Sequence, residues 1–389
     1  MKNPVITEEI AKRAFLVGIR DDKTSAAEAE LMLRELAGLA DTLGLEIIFR
    51  EIIRLRGNNA KYGIGTGKAE ELAQKAASLT ADCIVFDRDI SPSQQRNWEE
   101  LTGLPAIDRQ ELIIQIFASR ARTKEAELQI SLAEHIHALP RLQHKYIDLS
   151  QQRGGRYGTR GSGETHFETD RRRLEQKIHR LKDEIEKVKL QRQVQRKQRE
   201  RRSIPICALV GYTNSGKSTI LNALTGAGVM AEDKLFATLD PTTRRLELGV
   251  HKSEKAESPY ERKYVLMVDT VGFIRRLPHS LVDAFRSTLE EVSHADLLLN
   301  ILDASDQDLP GQLETTLSVL RDLNADNIPR VTVLNKIDKL DGTLESLLKL
   351  YPESVPVSAT GGQTGSPQGL EELRERIEQT LMGAKKRLI

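Results

Sequence analysis

Between residues 14 and 108, short apolar runs alternate with stretches whose apolar positions recur every three or four residues. AFLVGI (14–19) predicts a strand, followed by a helical stretch ending near Gly44. LEIIFREII (45–53) predicts a second strand. The glycine-rich KYGIGTGK (61–68) and a short helix, AEELAQKAASL (69–79), come next. DCIVFD (82–87) predicts a third strand, and SPSQQRNWEEL opens a helix with Ser91 as cap and Pro92 at its first position. Strands alternating with helices predict a small, mostly parallel α/β domain. GIGTGK (63–68) lacks the spacing of a phosphate loop and predicts a turn into a helix N-terminus, with a second nucleotide site there left open.

The pattern changes after residue 108. No proline interrupts Arg109 to Leu139, and Leu128, Leu132, Ile136 and Leu139 share a helical face, which predicts one arm ended by Pro140. A second helix is expected from about Glu168, where Leu174, Ile178, Leu181, Ile185 and Val188 are spaced four and three apart, as in a heptad seam. Extended to residue 202 it would span roughly 50 Å. Together the arms predict an antiparallel two-helix coiled coil, with a solvated linker helix as the plainer alternative. Between them the segment 153–163 carries Gly154, Gly155, Gly158, Gly161 and Gly163 beside Arg153, Arg156 and Arg160, and it cannot build a core of its own.

A third region starts at Ile204. IPICALV is a buried-type strand that runs into Gly211, Tyr212, Thr213, Asn214, Ser215, Gly216, Lys217 and Ser218, with the helix TILNALTG after it. This is G-x-x-x-x-G-K-[ST] in its strand–loop–helix context. The glycines let backbone N–H groups turn toward phosphates, Lys217 reaches the β- and γ-phosphates, and Ser218 ligates Mg²⁺. A second apolar strand, VLMV, delivers Asp269, Thr270, Val271 and Gly272. Asp269 suits the Mg²⁺ shell through water, and the Gly272 N–H suits the γ-phosphate. A third strand ends in Asn335, Lys336, Ile337 and Asp338. A carboxylate there accepts from N1–H and the N2 amine of guanine, whereas adenine would leave it unpaired. Ser358, Ala359 and Thr360, after the short strand VPV, are expected to close over the base.

Two positions stay open on the residues alone. For a switch hydroxyl on Mg²⁺, Thr238, Thr242 and Thr243 all have suitable chemistry. After Gly272, many nucleotide hydrolases carry a glutamine that orients the attacking water. Phe273 stands there instead. Either no hydrolysis occurs, or the water is positioned from elsewhere.

Composition adds bounds. With 389 residues, 39% hydrophobic and 30% charged, the chain has room for two or three domains and long solvated helices. Its net charge is only +1, yet Asp170 to Arg202 holds fourteen basic and six acidic side chains, a local excess of eight. A basic stalk with an arginine–glycine loop suits folded RNA, where phosphate contacts supply affinity. A solvated helix face with a disordered connection is the alternative. Cys83 and Cys207 lie singly in apolar runs and are expected as buried thiols in a reducing compartment. The eight histidines show no metal-ligand spacing, so no structural zinc is expected. MKNPVITEEIAKR lacks a signal-peptide core and no run reaches membrane-span length, so a cytoplasmic protein is expected, with peripheral membrane association left open.

The order GYTNSGKST, FATLDPTTR, DTVGF, NKID and SAT resembles the Obg–HflX branch of translation-factor-related GTPases. GTGKAEEL, DCIVFDRDISPSQQRN and GTRGSGETHFETDRRR further resemble the N-terminal and helical regions of the HflX family of ribosome-associated GTPases. The likeness covers nearly the whole chain. It departs in GGRYGTRGSGET, where the family pattern GGxGTRGPGET has proline at the position of Ser162. The resemblance implies that Phe236, Ala237, Thr238, Leu239 and Asp240 form the first switch and that Thr238 joins Mg²⁺. It also implies slow intrinsic hydrolysis, because family members carry a hydrophobic residue where Phe273 stands. The expected fold is an α/β P-loop GTPase domain (204–389) preceded by a small α/β domain (1–108) and a two-helix coiled-coil subdomain (109–203). The expected activity is Mg²⁺-dependent hydrolysis of GTP to GDP. The expected partner is the ribosome, chiefly the 50S subunit and its rRNA, with a monomer splitting stalled or idle 70S particles. A large-subunit assembly or storage factor, and an RNA-remodelling NTPase centred on the N-terminal domain, are the alternatives.

Overall fold

A computed structural model describes residues 13–55, 57, 59–151, 162–200, 204–228, 234–239, 241–252, 260–276, 291–340, 342–362 and 365–386. Its contacts separate two compact units, Met1–Lys187 and Val188–Ile389.

In the first unit the alternating segments become β1 (Arg13–Arg20), α1 (Ala26–Thr42), β2 (Glu46–Arg54), α2 (Thr66–Ser78), β3 (Cys83–Phe86), α3 (Pro92–Thr102) and β4 (Ala106–Asp108). The strands form one sheet in the order β2-β1-β3-β4, all parallel. β4 was not anticipated, since a three-residue strand after Pro105 is too short to show a period. Phe15, Val17, Ile84 and Phe86 pack with Leu72, Ala76 and Trp98 in the core. The Ser91 cap forms a full capping box with Gln94, which fixes where α3 begins and hence where Trp98 lies. Trp98 is fully buried, and its indole N–H donates to Tyr62 O at 3.0 Å. In the glycine-rich turn Gly63 is left-handed (φ +73°) and Gly65 caps α2. Lys68 of this turn pairs with Glu51 at 2.7 Å and Glu71 at 2.6 Å.

The single arm expected from Arg109 to Leu139 is two helices, α4 (Arg109–Arg120) and α5 (Lys124–Gln151). Ala121 leaves α4 in an extended conformation, and the Thr123 hydroxyl accepts from Ala126 N–H to start the next helix. Pro140 does not end the arm but lies inside α5. It removes one backbone bond, while the turn around it is anchored on Asp108. Arg141 donates to one Asp108 oxygen at 2.7 Å, and His137 lies 3.5 Å from the other. Asp108, Glu111 and His137 bring possible metal-ligand atoms within 4.8 Å of one another, but the Arg141 guanidinium already sits on this group. At the base of α4, buried Arg109 bonds Asp87 at 2.8 Å and pairs with Glu35, tying α4 to β3 and α1.

The second arm, α6 (Ser162–Glu200), starts six residues before the expected Glu168. Along the seam Leu181 and Ile185 are buried and Leu174, Ile178 and Val188 half-buried, while Arg171, Arg172, Arg173, Lys177, Arg180, Lys182 and Lys187 are exposed. Leu132, Leu128 and Ile136 of α5 pack against Leu181, Ile185 and Ile178. A parallel pairing would leave Gln151 and Ser162 more than ~50 Å apart at ~1.5 Å per helical residue. The short segment between them can reach only about 40 Å. The hairpin is therefore antiparallel. Arg153, Arg156 and Arg160 lie outside the described residues.

The second unit contains β5 (Ile206–Gly211), α7 (Lys217–Thr225), β6 (Thr242–Lys252), β7 (Tyr260–Asp269), β8 (Leu297–Asp303), α8 (Leu309–Asp322), β9 (Arg330–Asn335), α9 (Leu344–Leu350), β10 (Val355–Pro356) and α10 (Leu370–Lys386). They build one sheet, β10-β9-β8-β5-β7-β6, in which β6 alone pairs antiparallel. β5 is buried along its whole length, as a central strand of a two-faced sheet requires. Cys83 and Cys207 are buried, and burial pushes both thiols up, Cys83 to about 12. Among the described residues no helix is long and apolar enough to cross a membrane.

Candidate nucleotide site

Three parallel strands, β5, β7 and β9, end on the same edge of the sheet, and each delivers one motif. After β5 the chain must turn tightly back into α7. Gly211 (φ +145°) passes under β8 so closely that a Cβ would stand 2.2 Å from Ile301 O. Gly216 (φ +91°) lies against Asn335, where a Cβ would stand 2.1 Å from Nδ2. Asn214 is also left-handed, at φ +59°. Only glycine fits the two close approaches. The loop and α7 rim a cleft lined by Thr213, Asn214, Gly216, Lys217, Ser218, Thr219, Lys234, Phe236, Ala237, Thr238, Thr270 and Gly272.

Lys217 is 6% exposed, and its ammonium donates to Tyr212 O at 2.7 Å and Gly211 O at 3.3 Å. Burial pushes it down to about 8. Ser218 Oγ donates to Asp269 Oδ2 at 2.5 Å and Thr238 Oγ1 to the same oxygen at 2.9 Å, with the hydroxyls 2.8 Å apart. Thr242 and Thr243 sit instead in β6, paired with Asp269 and Val268, so Thr238 is the threonine brought to Ser218. Burial raises the Asp269 carboxyl above the ordinary value, and its Oδ1 is buried without a hydrogen-bond partner. This oxygen-only set fits a hard cation such as Mg²⁺. Phe236 (φ +54°) and Leu239 are buried, Ala237 is half-buried, and Asp240 lies outside the described residues.

Beyond Asp269, the Thr270 hydroxyl donates to Leu209 O at 2.6 Å, and Val271 is buried. Phe273 N–H donates to Gly211 O at 3.1 Å, and Phe273 O accepts from Thr213 N–H at 2.8 Å. Gly272 is thereby laid on the phosphate loop, and a Cβ there would meet Thr213 Cα at 2.7 Å and Lys217 Nζ at 2.8 Å. The Phe273 ring turns the other way. It is 1% exposed and packs with Ala208, Val210, Val268, Val292 and Leu298. It cannot touch a water in the cleft.

At the end of β9, Asn335 Nδ2 donates to Ser215 O at 2.8 Å and clamps the loop to β9. Lys336 (φ +61°) pairs with Asp303 at 2.8 Å, and Ile337 begins a short 3₁₀ turn. Asp338 is exposed, and one of its oxygens accepts from the buried Ser358 hydroxyl. That hydroxyl in turn accepts from Gly361 N–H at 3.0 Å. Ala359 is buried and Thr360 exposed. The structure therefore gathers the phosphate-loop, Asp269–Gly272 and Thr238 groups in one cleft, with Asp338 and Ser358 together beside it.

Family models described as "GTP-binding GTPase N-terminal", "GTP-binding GTPase Middle Region" and "50S ribosome-binding GTPase" match residues 30–118, 120–199 and 206–336. A protein named GTPase HflX from Akkermansia muciniphila is 44% identical, with 91% of this chain and 82% of that protein covered. The chain belongs to the HflX family of GTPases. Its likeness to the GTPase HflX of Caldanaerobacter subterraneus subsp. tengcongensis is 43%, over 96% of this chain and 82% of that one. A solved structure described as "crystal structure of SsGBP and GDP complex" shares 25% identity at a TM-score of 0.52, covering 96% of this chain and 99% of its own. The HflX-type α/β GTPase fold, with its N-terminal and middle helical regions, is thus shared along the chain.

Three residues in or near this HflX-type cleft escaped motif reading. Thr219 and Lys234 line it, and Asp303 holds Lys336. Thr219 follows Ser218 directly, so the doubled hydroxyl was a usable signal. Lys234 and Asp303 carry none, because only the fold brings them near.

Proposed function

We propose that this HflX-family GTPase binds the ribosome through its 50S subunit and dissociates stalled or idle 70S ribosomes into subunits. The observation that carries this is the exposed basic face of α6 in a chain whose GTPase region matches the "50S ribosome-binding GTPase" model. Residues 1–108 and 109–203 make the rRNA contacts, with Arg153, Arg156 and Arg160 among them, and residues 204–389 time the cycle. The protein acts as a monomer in the cytoplasm.

In the nucleotide cleft, backbone N–H groups from Gly211 to Ser218 surround the phosphates, and Lys217 offsets the charge of the β- and γ-phosphates. Asp338, oriented by Ser358, accepts from N1–H and N2 of guanine, while Asn335 and Lys336 hold the loops that frame the base. Ser218 and Thr238 would hold Mg²⁺ directly and Asp269 through water. Bound there, the ion would supply positive charge that offsets the negative charge of the phosphates. Thr238 and Gly272 distinguish GTP from GDP, since both reach the γ-phosphate side of the cleft. With Phe273 turned into the core, intrinsic hydrolysis is slow and rises on the ribosome, by the ~10³–10⁵-fold range that partner-supplied groups give related GTPases.

Binding is tested by pelleting the protein with purified 30S, 50S and 70S particles in a non-hydrolysable GTP analogue. Co-pelleting with 50S and 70S but not 30S supports the proposal, and equal recovery with 30S contradicts it.

A further inference from the structure

Hydrolysis needs a polar group on the attacking water, and Phe273 cannot be one. Resting on the GTPase reading of this cleft, we propose that the Thr213 hydroxyl is a catalytic group that holds that water against the γ-phosphate. Thr213 is 5% exposed, lines the cleft, and its Oγ1 is buried with no hydrogen-bond partner. A buried hydroxyl without a partner is destabilising and calls for an explanation.

Its place is fixed from both sides. The Thr213 N–H donates to Phe273 O at 2.8 Å. Thr213 Cγ2 and Lys217 Nζ each lie 2.8 Å from the point a Cβ on Gly272 would occupy. The Thr213 methyl, the ammonium and Gly272 therefore converge where a terminal phosphate must sit between Lys217 and the Gly272 N–H, and the hydroxyl shares its Cβ with that methyl. Of the other hydroxyls that line the cleft, Ser218 and Thr238 are committed to Asp269 and Thr270 to Leu209 O, and Thr219, on α7, is only half-buried. Ser215 Oγ is also without a partner, but Ser215 does not line the cleft.

A threonine hydroxyl offers one donor and two acceptor sites. It can accept a hydrogen from the water while donating to a γ-phosphate oxygen, which fixes the water for in-line attack. The water oxygen then bonds to Pγ. The bond from Pγ to the bridging oxygen breaks, and its electron pair leaves on GDP. The water's proton passes to the released phosphate and solvent. Thr213 is unchanged at the end.

The test compares Thr213→Val, which keeps shape and loses the hydroxyl, with Thr213→Ser, which keeps the hydroxyl. Single-turnover GTP hydrolysis is measured at saturating protein with and without ribosomes, alongside GDP and GTP-analogue affinities and melting curves. Thr213→Val is expected to lose at least ~30-fold in rate with affinities within about 3-fold, and Thr213→Ser to stay within about 3-fold of wild type. Wild-type turnover by Thr213→Val overturns the assignment. Equal loss in Thr213→Ser does so too, since the methyl packing would then matter. Should Thr213→Val melt below the assay temperature, Thr213→Ala replaces it with the same expectations. Absence of hydrolysis by the wild type, even with ribosomes, would instead remove the GTPase reading itself.

Discussion

Phe273→Leu separates a structural aromatic from a chemical one. The ring is 1% exposed in a cluster with Val210, Val268, Val292, Ala295 and Leu298, while its backbone bonds Gly211 and Thr213. Replacing Phe by Ala in such a core costs about 3–5 kcal/mol, a large fraction of a domain's ~5–15 kcal/mol. Alanine would confuse lost folding with lost chemistry. Leucine refills most of the space at about 1–1.5 kcal/mol. At ~2–4 °C per kcal/mol for a unit of this size, Tm should fall by about 2–6 °C. Both backbone bonds survive the change, so hydrolysis per folded molecule, measured well below Tm, should stay within about 2-fold of wild type. The assay pairs a calorimetric melt with single-turnover GTP hydrolysis at saturating protein. An unmoved Tm with a rate loss beyond tenfold would refute the reasoning, because the ring would then face the reaction rather than the core.

Asp338→Asn should weaken GTP by about 10–150-fold, the range of one charged hydrogen bond at 1.5–3 kcal/mol. Xanthosine triphosphate, whose C2 carbonyl accepts from the new amide, should gain; unchanged GTP affinity in a fluorescent-nucleotide titration contradicts base recognition by Asp338. Burial holds Lys217 at about 8 against an ordinary 10.5, so between those values the unfolded chain binds the extra proton and the nucleotide-free fold gains stability as pH rises. Phosphate affinity runs the opposite way, since the ammonium is the phosphate's partner; GDP binding should weaken above about pH 8, and a flat profile to about pH 9.5 contradicts this. Replacing Arg153, Arg156 and Arg160 together by alanine should leave GTP affinity alone, lower ribosome affinity moderately and make its salt dependence shallower; wild-type splitting at saturating protein would reduce the segment to a passive connection.

What the sequence made legible was mostly what a local backbone rule dictates. The strand–glycine–lysine pattern at 206–218 requires a tight turn at a sheet edge, and the NKID run ends a neighbouring strand, so the two meet once the sheet is parallel. The Leu181–Ile185 seam was legible for the same reason, since its period is its packing. Long-range compensation was not. Pro140 reads as a helix stop, yet Arg141 and His137 hold the turn on Asp108, which lies about thirty residues earlier in the chain. The break at Ala121–Thr123 was hidden because residues on both sides are good helix formers, and only the Thr123 cap marks it. Residue chemistry leaves the three candidate hydroxyls equal; family resemblance points to Thr238, and the fold carries it to Ser218 and Asp269. At Phe273 the residue type signalled missing chemistry. Its direction into the core, and the burial of the Thr213 hydroxyl without a partner, depend on the loop–strand pairing and have no signature in the chain.

Sedimentation of purified 70S ribosomes after incubation with the protein and GTP, a non-hydrolysable GTP analogue, or GDP tests ribosome splitting most directly. Free 30S and 50S subunits should accumulate with GTP and with the analogue but not with GDP. The 50S peak should retain the protein in the analogue and release it after hydrolysis. Intact 70S particles carrying bound protein under all three nucleotides would contradict a splitting function.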